Sequence, residues 1–291
     1  MSDPETAWQP GPAWLFCPAD RPDRYHKALD AADVVILDLE DAVAPDHKDS
    51  AREALRQLAR DGILDLDRTV VRVNASASAA HEADVRLAKE LSFPRVMLAK
   101  AEHPHDLRSL ECGVIPLVET ARGVEWAVAL TEAQNVLGLM WGAEDLIASM
   151  GGTGSRRADG GYRDAARFAR VRVLTAAKAR GLLAIDAVHM DIADAGGLAA
   201  ECEDAVATGF DATAAIHPSQ VPVIRAAYRP PAGQVDWARR LLAHAGQDRG
   251  VTTFEGRMVD GPVFKQAERI LRLAPETDVS PEATRPCEVK R

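Results

Sequence analysis

VVILDLE, Val34 to Glu40, followed after a polar interval by DSAREALRQLAR, Asp49 to Arg60, is the stretch that decides the fold. The first segment is almost continuously apolar, which suits a strand covered on both faces. The second has the periodicity of a helix lying on such a strand. The same alternation recurs along the chain. AWLFCP (Ala13 to Pro18) precedes it; TVVRVNA (Thr69 to Ala75), RVMLAK (Arg95 to Lys100) and GVIPLVE (Gly113 to Glu119) follow. VLGLMWG (Val136 to Gly142), LAIDAVHM (Leu183 to Met190) and ATAAIHP (Ala212 to Pro218) complete eight candidate strands. Arg163 to Arg180 is a second clear helix. Eight strand–helix units predict an α/β fold of the (β/α)₈ TIM-barrel type. A doubly wound open sheet is the alternative. It calls for a Gly-rich phosphate turn after an early strand, and Gly11 to Leu29 holds one glycine.

After Pro218 the pattern changes. Pro230-Pro231 marks a break, Gln234 to Ala245 reads as a helix, Phe254 to Val263 as a turn or loop with two glycines, and Phe264 to Leu273 as another helix. The expected division is a barrel over 13–229 and a C-terminal helical arm over 230–291, whose end, Pro275 to Arg291, reads as polar and mobile. The 291 residues suffice for one large domain or two modest ones, and 47% hydrophobic residues supply a core. With 44 acidic and 35 basic residues the net charge is −9, which argues against a general nucleic-acid or anionic-membrane binder. Cys17, Cys112, Cys202 and Cys287 are scattered, without a Cys-x-x-Cys pair, and read as reduced thiols. The start, MSDPETAWQPGP, lacks the basic and apolar regions of a signal peptide, and no apolar run reaches the length of a membrane helix. A cytoplasmic protein is the expectation.

In a TIM barrel the chemistry sits at the C-terminal ends of the strands. There the sequence places Asp38, Glu40 and Asp41 after strand two, Arg72 and Asn74 on strand three, and Lys100 after strand four. Glu119 ends strand five, Glu144 and Asp145 follow strand six, His189 and Asp191 strand seven, and His217 strand eight. Carboxylates converging from several strands raise one another's pKa, and a divalent cation is the simplest remedy. Oxygen ligands without Cys or paired His favour magnesium, with manganese or calcium as alternatives. Glu119 and Asp145, on adjacent strands, suit it, although Asp145 also suits an N-cap. Asp38 is either functional or a brace for its own loop. Arg72 lies inside the mouth or between helices; inside, it needs an anionic partner, and a substrate carboxylate would serve. Lys100 is a candidate Schiff-base lysine or a partner of Glu102. His189 and His217, each taken alone, are more often structural.

Seven strings stand in order: LFCPADRPDRYHKAL, VVILDLEDAVAPDHK, VRVNA, IPLVETARGV, GLMWGAEDL, GFDATAAIHPSQ and MVDGP. Together, over Trp14 to Leu273, they resemble the citrate lyase β-subunit-like family of the HpcH/HpaI aldolase superfamily. The resemblance implies a lyase or synthase working between an acyl-CoA and a 2-oxo acid. Carried over by position, Glu119 and Asp145 would hold magnesium, Arg72 would bind the oxo-acid carboxylate, and Glu40 and Asp41 would lie beside the metal waters. Arg21, Pro22 and Lys27 would meet coenzyme A. Asp260 would stand on an arm over a neighbouring subunit's mouth as the acid/base, in a homotrimer or other homo-oligomer. Two departures bear on the substrate. Pro18-Ala19 stands where the family commonly has Pro-Gly, and Ala212-Thr213 where it often has Gly-Lys. The implied reaction is metal-assisted cleavage of a 3-hydroxy-acyl-CoA such as citramalyl-, malyl- or citryl-CoA. The alternatives are a CoA-independent class II aldolase, a β-subunit that needs partner subunits, and a condensing enzyme that then hydrolyses the thioester.

Overall fold

The computed structural model describes residues 8–246 and 250–274. The chain divides between Arg225 and Ala226 into two compact units. The first is a closed barrel of eight parallel strands. They are β1 (Ala13–Pro18), β2 (Val34–Asp38), β3 (Thr69–Val73), β4 (Arg95–Leu98), β5 (Gly113–Val118), β6 (Gly138–Trp141), β7 (Leu183–Asp186) and β8 (Ala212–Ala215). The ring closes where Ala13, Trp14 and Leu15 of β1 pair with Thr213, Ala214 and Ala215 of β8. Helices follow the strands: α1 (Pro22–Ala31), α2 (Lys48–Arg60), α3 (His81–Glu90), α4 (Pro104–Arg108), α5 (Ala121–Leu130), α6 (Ala143–Ser149), α7 (Asp164–Lys178), α8 (Ala195–Thr208) and α9 (Val221–Tyr228).

Alternation explains the core. Trp14, Val34, Ile36, Val70, Met97, Ile115, Leu117, Met140 and Ile185 form one buried cluster with Ala212 and Ala214. On each strand these are every second residue, the side that faces the barrel interior. Their neighbours, such as Val35, Leu37, Val71 and Val73, are equally buried because helices cover the outer face. That double burial is why the strands read as continuous apolar runs. On α2 the buried residues Ala51, Arg52, Leu55 and Leu58 make the stripe that meets the sheet.

Strand ends fall short of the apolar runs. β2 stops at Asp38, β5 at Val118 and β7 at Asp186. Glu40, Glu119, His189 and His217 therefore stand on the loops beyond, where backbone groups turn from sheet pairing to side-chain partners. The second unit holds α10 (Ala232–Ala245), a hairpin of β9 (Thr252–Phe254) and β10 (Arg257–Val259), and α11 (Gly261–Leu273). Within the turn or loop expected over Phe254 to Val263 stands a hairpin strand, β10, and Glu255 and Gly256, both at positive φ, form the two-residue turn. Val259, Phe264 and Ala267 pack with Ala238 and Leu241 as this unit's core. Cys17, Cys112 and Cys202 are free thiols. The N-terminal seven residues, Pro275 to Arg291 and Cys287 lie outside the described residues. Among the described residues no helix is long and apolar enough to cross a membrane.

Candidate active site

The inward alternation of each strand carries on into the mouth. Phe16 continues Trp14 on β1, Asp38 continues Ile36 on β2, Arg72 continues Val70 on β3, and Glu119 continues Leu117 after β5. A polar residue at an inward position is costly unless it is paired, and each of these is. Arg72 is buried, and its Nε and Nη2 donate to the two Asp38 oxygens at 2.7 and 2.5 Å. Its Nη1 lies 3.2 Å from Glu40 Oε2, and the guanidinium sits 4.8 Å from the centre of the Phe16 ring. Arg72 is thus inside the mouth, and two of the protein's own carboxylates already engage it. Asp38 does both things open to it. It holds Arg72, and it accepts the backbone N–H groups of Glu40 and Ala42 at 2.8 and 3.0 Å, bracing the acidic loop.

Lys48, which sequence reasoning passed over, pins the same loop by donating to the carbonyls of Leu39 and Glu40 at 2.7 and 2.6 Å. Glu40 is buried and Asp41 is exposed. Burial raises the Glu40 carboxyl, against the pull of Arg72 and Lys100. For Asp41 burial also pushes upward, but Lys100 prevails and the carboxyl is lowered.

Lys100 is the hub of the polar side. It adopts φ +48°, rare for a residue with a side chain. That turn aims its N–H at Glu119 Oε1, 3.0 Å away. Its ammonium bonds Glu40 and stands 3.2 Å from Asp41 and 3.4 Å from Asp145. Glu102, the expected partner, lies instead 3.8 Å from Arg122. Burial lowers the Lys100 ammonium, but the surrounding carboxylates overcome this and raise it above its ordinary value, so it is held protonated. A Schiff-base lysine needs the neutral amine, which the carboxylates of Glu40, Asp41 and Asp145 around the ammonium oppose.

Burial pushes the Glu119 carboxyl up to about 8, with Arg72 opposing and Asp145 adding to the rise. Space around it is tight: a Cβ on Gly142 would come within 2.8 Å of Glu119 Oε2. Asp145 lies in the first turn of α6, whose N-cap is Gly142, so Asp145 is not the cap. Two neighbouring carboxylates, one of them almost fully buried, fit an ion that takes oxygen ligands and fills its other positions with water or substrate. Among the described residues no group of three or more His, Cys, Asp or Glu side chains is arranged to hold a metal ion, which sets this pair apart from a zinc-type cage.

Phe16, Asp38, Asp41, Arg72, Glu119 and Asp145 line one cavity of about 340 Å³ at the C-terminal ends of the strands. Other expected residues stand elsewhere. Arg21 caps α1 and pairs with Asp23 at 3.0 Å; Pro22 opens that helix, and Lys27 is exposed on it. His189 is buried with Nδ1 3.0 Å from Glu201, and Asp191 is exposed beyond it. His217 bonds Ser219 at 2.7 Å and caps a short 3₁₀ turn, a structural role. Asn74 donates to Leu39 O and Asp84, tying β3 to α3. Asp260, in the second unit, is the N-cap residue of α11, and its carboxylate makes no capping bond. Sequence reasoning also missed a brace behind the mouth: Trp141 Nε1 donates to Asp186 at 2.6 Å, and Arg170 of α7 grips the same carboxylate at 2.7 Å. A Trp in an apolar run gives little sign of this, because its N–H partner lies 45 residues away.

Residues 13–218 match the model of the HpcH/HpaI aldolase/citrate lyase family. A citrate lyase subunit beta-like protein of Mycobacterium tuberculosis is 54% identical over 267 residues, 91% of this chain and 96% of that protein. The mitochondrial citramalyl-CoA lyase of Rattus norvegicus is 31% identical over 296 residues, 91% of this chain and 86% of that protein. Among solved structures, CitE from Mycobacterium tuberculosis in complex with magnesium, acetoacetate and coenzyme A has a TM-score of 0.85 and 54% identity, covering 91% of this chain and 98% of that one.

Proposed function

Because the chain belongs to the HpcH/HpaI aldolase/citrate lyase family and is a carbon–carbon lyase, we propose that it cleaves a 3-hydroxy-acyl coenzyme A ester of the citramalyl, malyl or citryl kind. The products are acetyl-CoA, or a homologue, and a 2-oxo acid. The observation that carries this reading is the pairing of a buried Glu119 with Asp145 in the cavity that Arg72 also lines. Glu119 and Asp145 would hold magnesium, with manganese as a substitute. When bound, the ion would supply a Lewis acid for the substrate's carbinol oxygen and carboxylate.

The chain's own residues do the rest. Arg72 keeps donor positions on Nη1 and Nη2 beyond those used by Asp38 and Glu40, and these suit the substrate carboxylate. Asp38 fixes the plane of that guanidinium. Lys100 neutralises the acidic loop and orients Glu119 through its backbone N–H. Glu40 and Asp41 stand where they can order the solvent next to the ion. Arg21, Pro22 and Lys27, at the start of α1 just after β1, serve as the contact for coenzyme A. Asp260 acts as acid/base from the C-terminal arm of a neighbouring subunit, taking the carbinol proton or returning one to the acetyl carbon. Its uncapped carboxylate supports that assignment. A homotrimer or other closed homo-oligomer follows from such a composite site.

The test is a screen of the purified chain with magnesium against malyl-, citramalyl- and citryl-CoA, read by mass spectrometry. Acetyl-CoA and the matching 2-oxo acid are expected, and EDTA abolishes their formation. Free CoA without acetyl-CoA would instead indicate thioester hydrolysis, and no product from any ester would defeat the reading.

A further inference from the structure

The mouth is chemically two-sided. Its charged groups come from one arc of the barrel: Asp38 at the end of β2, Asp41 beyond it, Arg72 of β3, Glu119 beyond β5, and Glu144 and Asp145 on α6. The opposite arc is apolar: Phe16 of β1, Val188 and Met190 beyond β7, and Ile216 beyond β8, with Met140 of β6 at the junction. These are the arc's own residues, not side chains borrowed from elsewhere, because β7, β8 and β1 are consecutive in the closed ring. The last strand there is ATAA, whose small side chains offer no charge towards the interior. The two histidines beyond β7 and β8 do not line the cavity. His189 bonds Glu201, and His217 bonds Ser219.

Among the described residues that line the cavity, Arg72 is the only cation, and three carboxylate oxygens already bear on it; the Lys100 ammonium beside the cavity is taken up by Glu40, Asp41 and Asp145. The substrate's own carboxylate, bound at the metal and Arg72, uses what positive charge remains. A second free carboxylate, carried by a carboxymethyl group on the same carbon, would face an apolar wall, or else Asp38, Asp41 and Asp145. Moving a charge from water to such a surface without a partner is strongly unfavourable. A methyl group there meets Phe16, Val188 and Ile216 and gains by burial.

We infer that the β7–β8–β1 arc selects the substituent on the carbinol carbon, favouring a methyl group over hydrogen and rejecting a carboxymethyl group. Resting on the lyase reading above, this narrows the substrate class to tertiary 3-hydroxy-acyl-CoA esters that carry one free carboxylate. The oxo-acid product is then one with a methyl beside its carbonyl.

Malyl-, citramalyl- and citryl-CoA form a matched series, differing at that carbon by hydrogen, methyl and carboxymethyl. The expected order of kcat/KM is citramalyl first, malyl lower by about threefold to tenfold, and citryl lower by at least a hundredfold. Met190 is 52% exposed, so it tolerates a long polar side chain without loss of the fold. Met190→Arg supplies the missing cation. It is expected to lower citramalyl-CoA turnover, to raise citryl-CoA turnover, and so to narrow their ratio at least tenfold. Citryl-CoA cleaved by the wild-type chain within tenfold of citramalyl-CoA overturns the inference and leaves the lyase reading intact. If no ester is cleaved the lyase reading fails, and calorimetry with magnesium still decides the wall. Pyruvate bound at least tenfold tighter than oxaloacetate supports it, and equal or weaker binding of pyruvate overturns it.

Discussion

At Arg72 the distinction between charge and shape becomes testable. Three N–H groups of its planar guanidinium point at Asp38 and Glu40 in fixed directions. Lysine keeps the charge but cannot span Asp38 and Glu40 while also reaching a substrate. Arg72→Lys is expected to lower kcat/KM by at least a hundredfold in a coupled assay, with the circular dichroism spectrum kept. Gly142 offers a finer probe. Its φ and ψ suit alanine, so Gly142→Ala perturbs chiefly through the Cβ pressed against Glu119. Calorimetry should show magnesium bound at least tenfold more weakly, while an unchanged affinity would free Glu119 from the metal role. Cys17 gives a pH signature. Burial pushes its thiol from 9.0 to about 11, so above pH 9 the unfolded chain ionises first and the folded state loses relative stability until pH 11. Linkage makes this a loss of about 2 kcal/mol by pH 10.5. Urea titrations at pH 8 and 10.5 are expected to show a smaller alkaline loss for Cys17→Ala by that amount. These residues differ in how readable they were. Glu119 and Arg72 stand out as polar residues in phase with an apolar interior, whereas the Lys100 contacts bring together residues 40, 41, 100, 119 and 145, and no local spacing announces them.

Single elements were legible where one force dominates. β1 matches its apolar run residue for residue, because Ala13, Trp14, Leu15 and Cys17 bury both of its faces. Other runs overshoot the strands, and beyond β7 and β8 they continue into Val188 and Ile216, which line the cavity and lie outside the sheet. Hydrophobicity alone cannot separate sheet from cavity lining. The hairpin of β9 and β10 stayed hidden because its strands are three residues long and mostly exposed, so no alternation marks them. Its turn residues are the clue: Gly256 takes φ +76° without cost, which any other residue reaches only with strain. Gly256→Ala is expected to lower stability by about 1 kcal/mol, read as a shift in thermal unfolding.

For the whole molecule, eightfold strand–helix repetition made the barrel plain, but the proposed relation between subunits would leave no trace in hydrophobic phase. Asp260 is the clearest case. Read by itself in Val259-Asp260-Gly261 it is a turn residue, and its proposed role depends on another copy of the chain. Mixing Asp145→Ala with Asp260→Ala under conditions of subunit exchange tests it. Partial recovery of turnover is expected, since some mixed sites draw both intact residues from different chains. No recovery after exchange is verified by native mass spectrometry would place Asp260 outside its neighbour's site.

The seam between β1 and β8 also governs how the chain is made. Position 13 pairs with position 213, so the first strand emerges from the ribosome about 200 residues before its second neighbour exists. At roughly 5–20 residues per second, that edge stands open for about 10–40 s. An unpaired, apolar strand edge is a template for association with other nascent chains. The seam is therefore the interval of greatest exposure in biosynthesis, the place where a trigger-type chaperone gains most and where slow codons after β8 gain nothing.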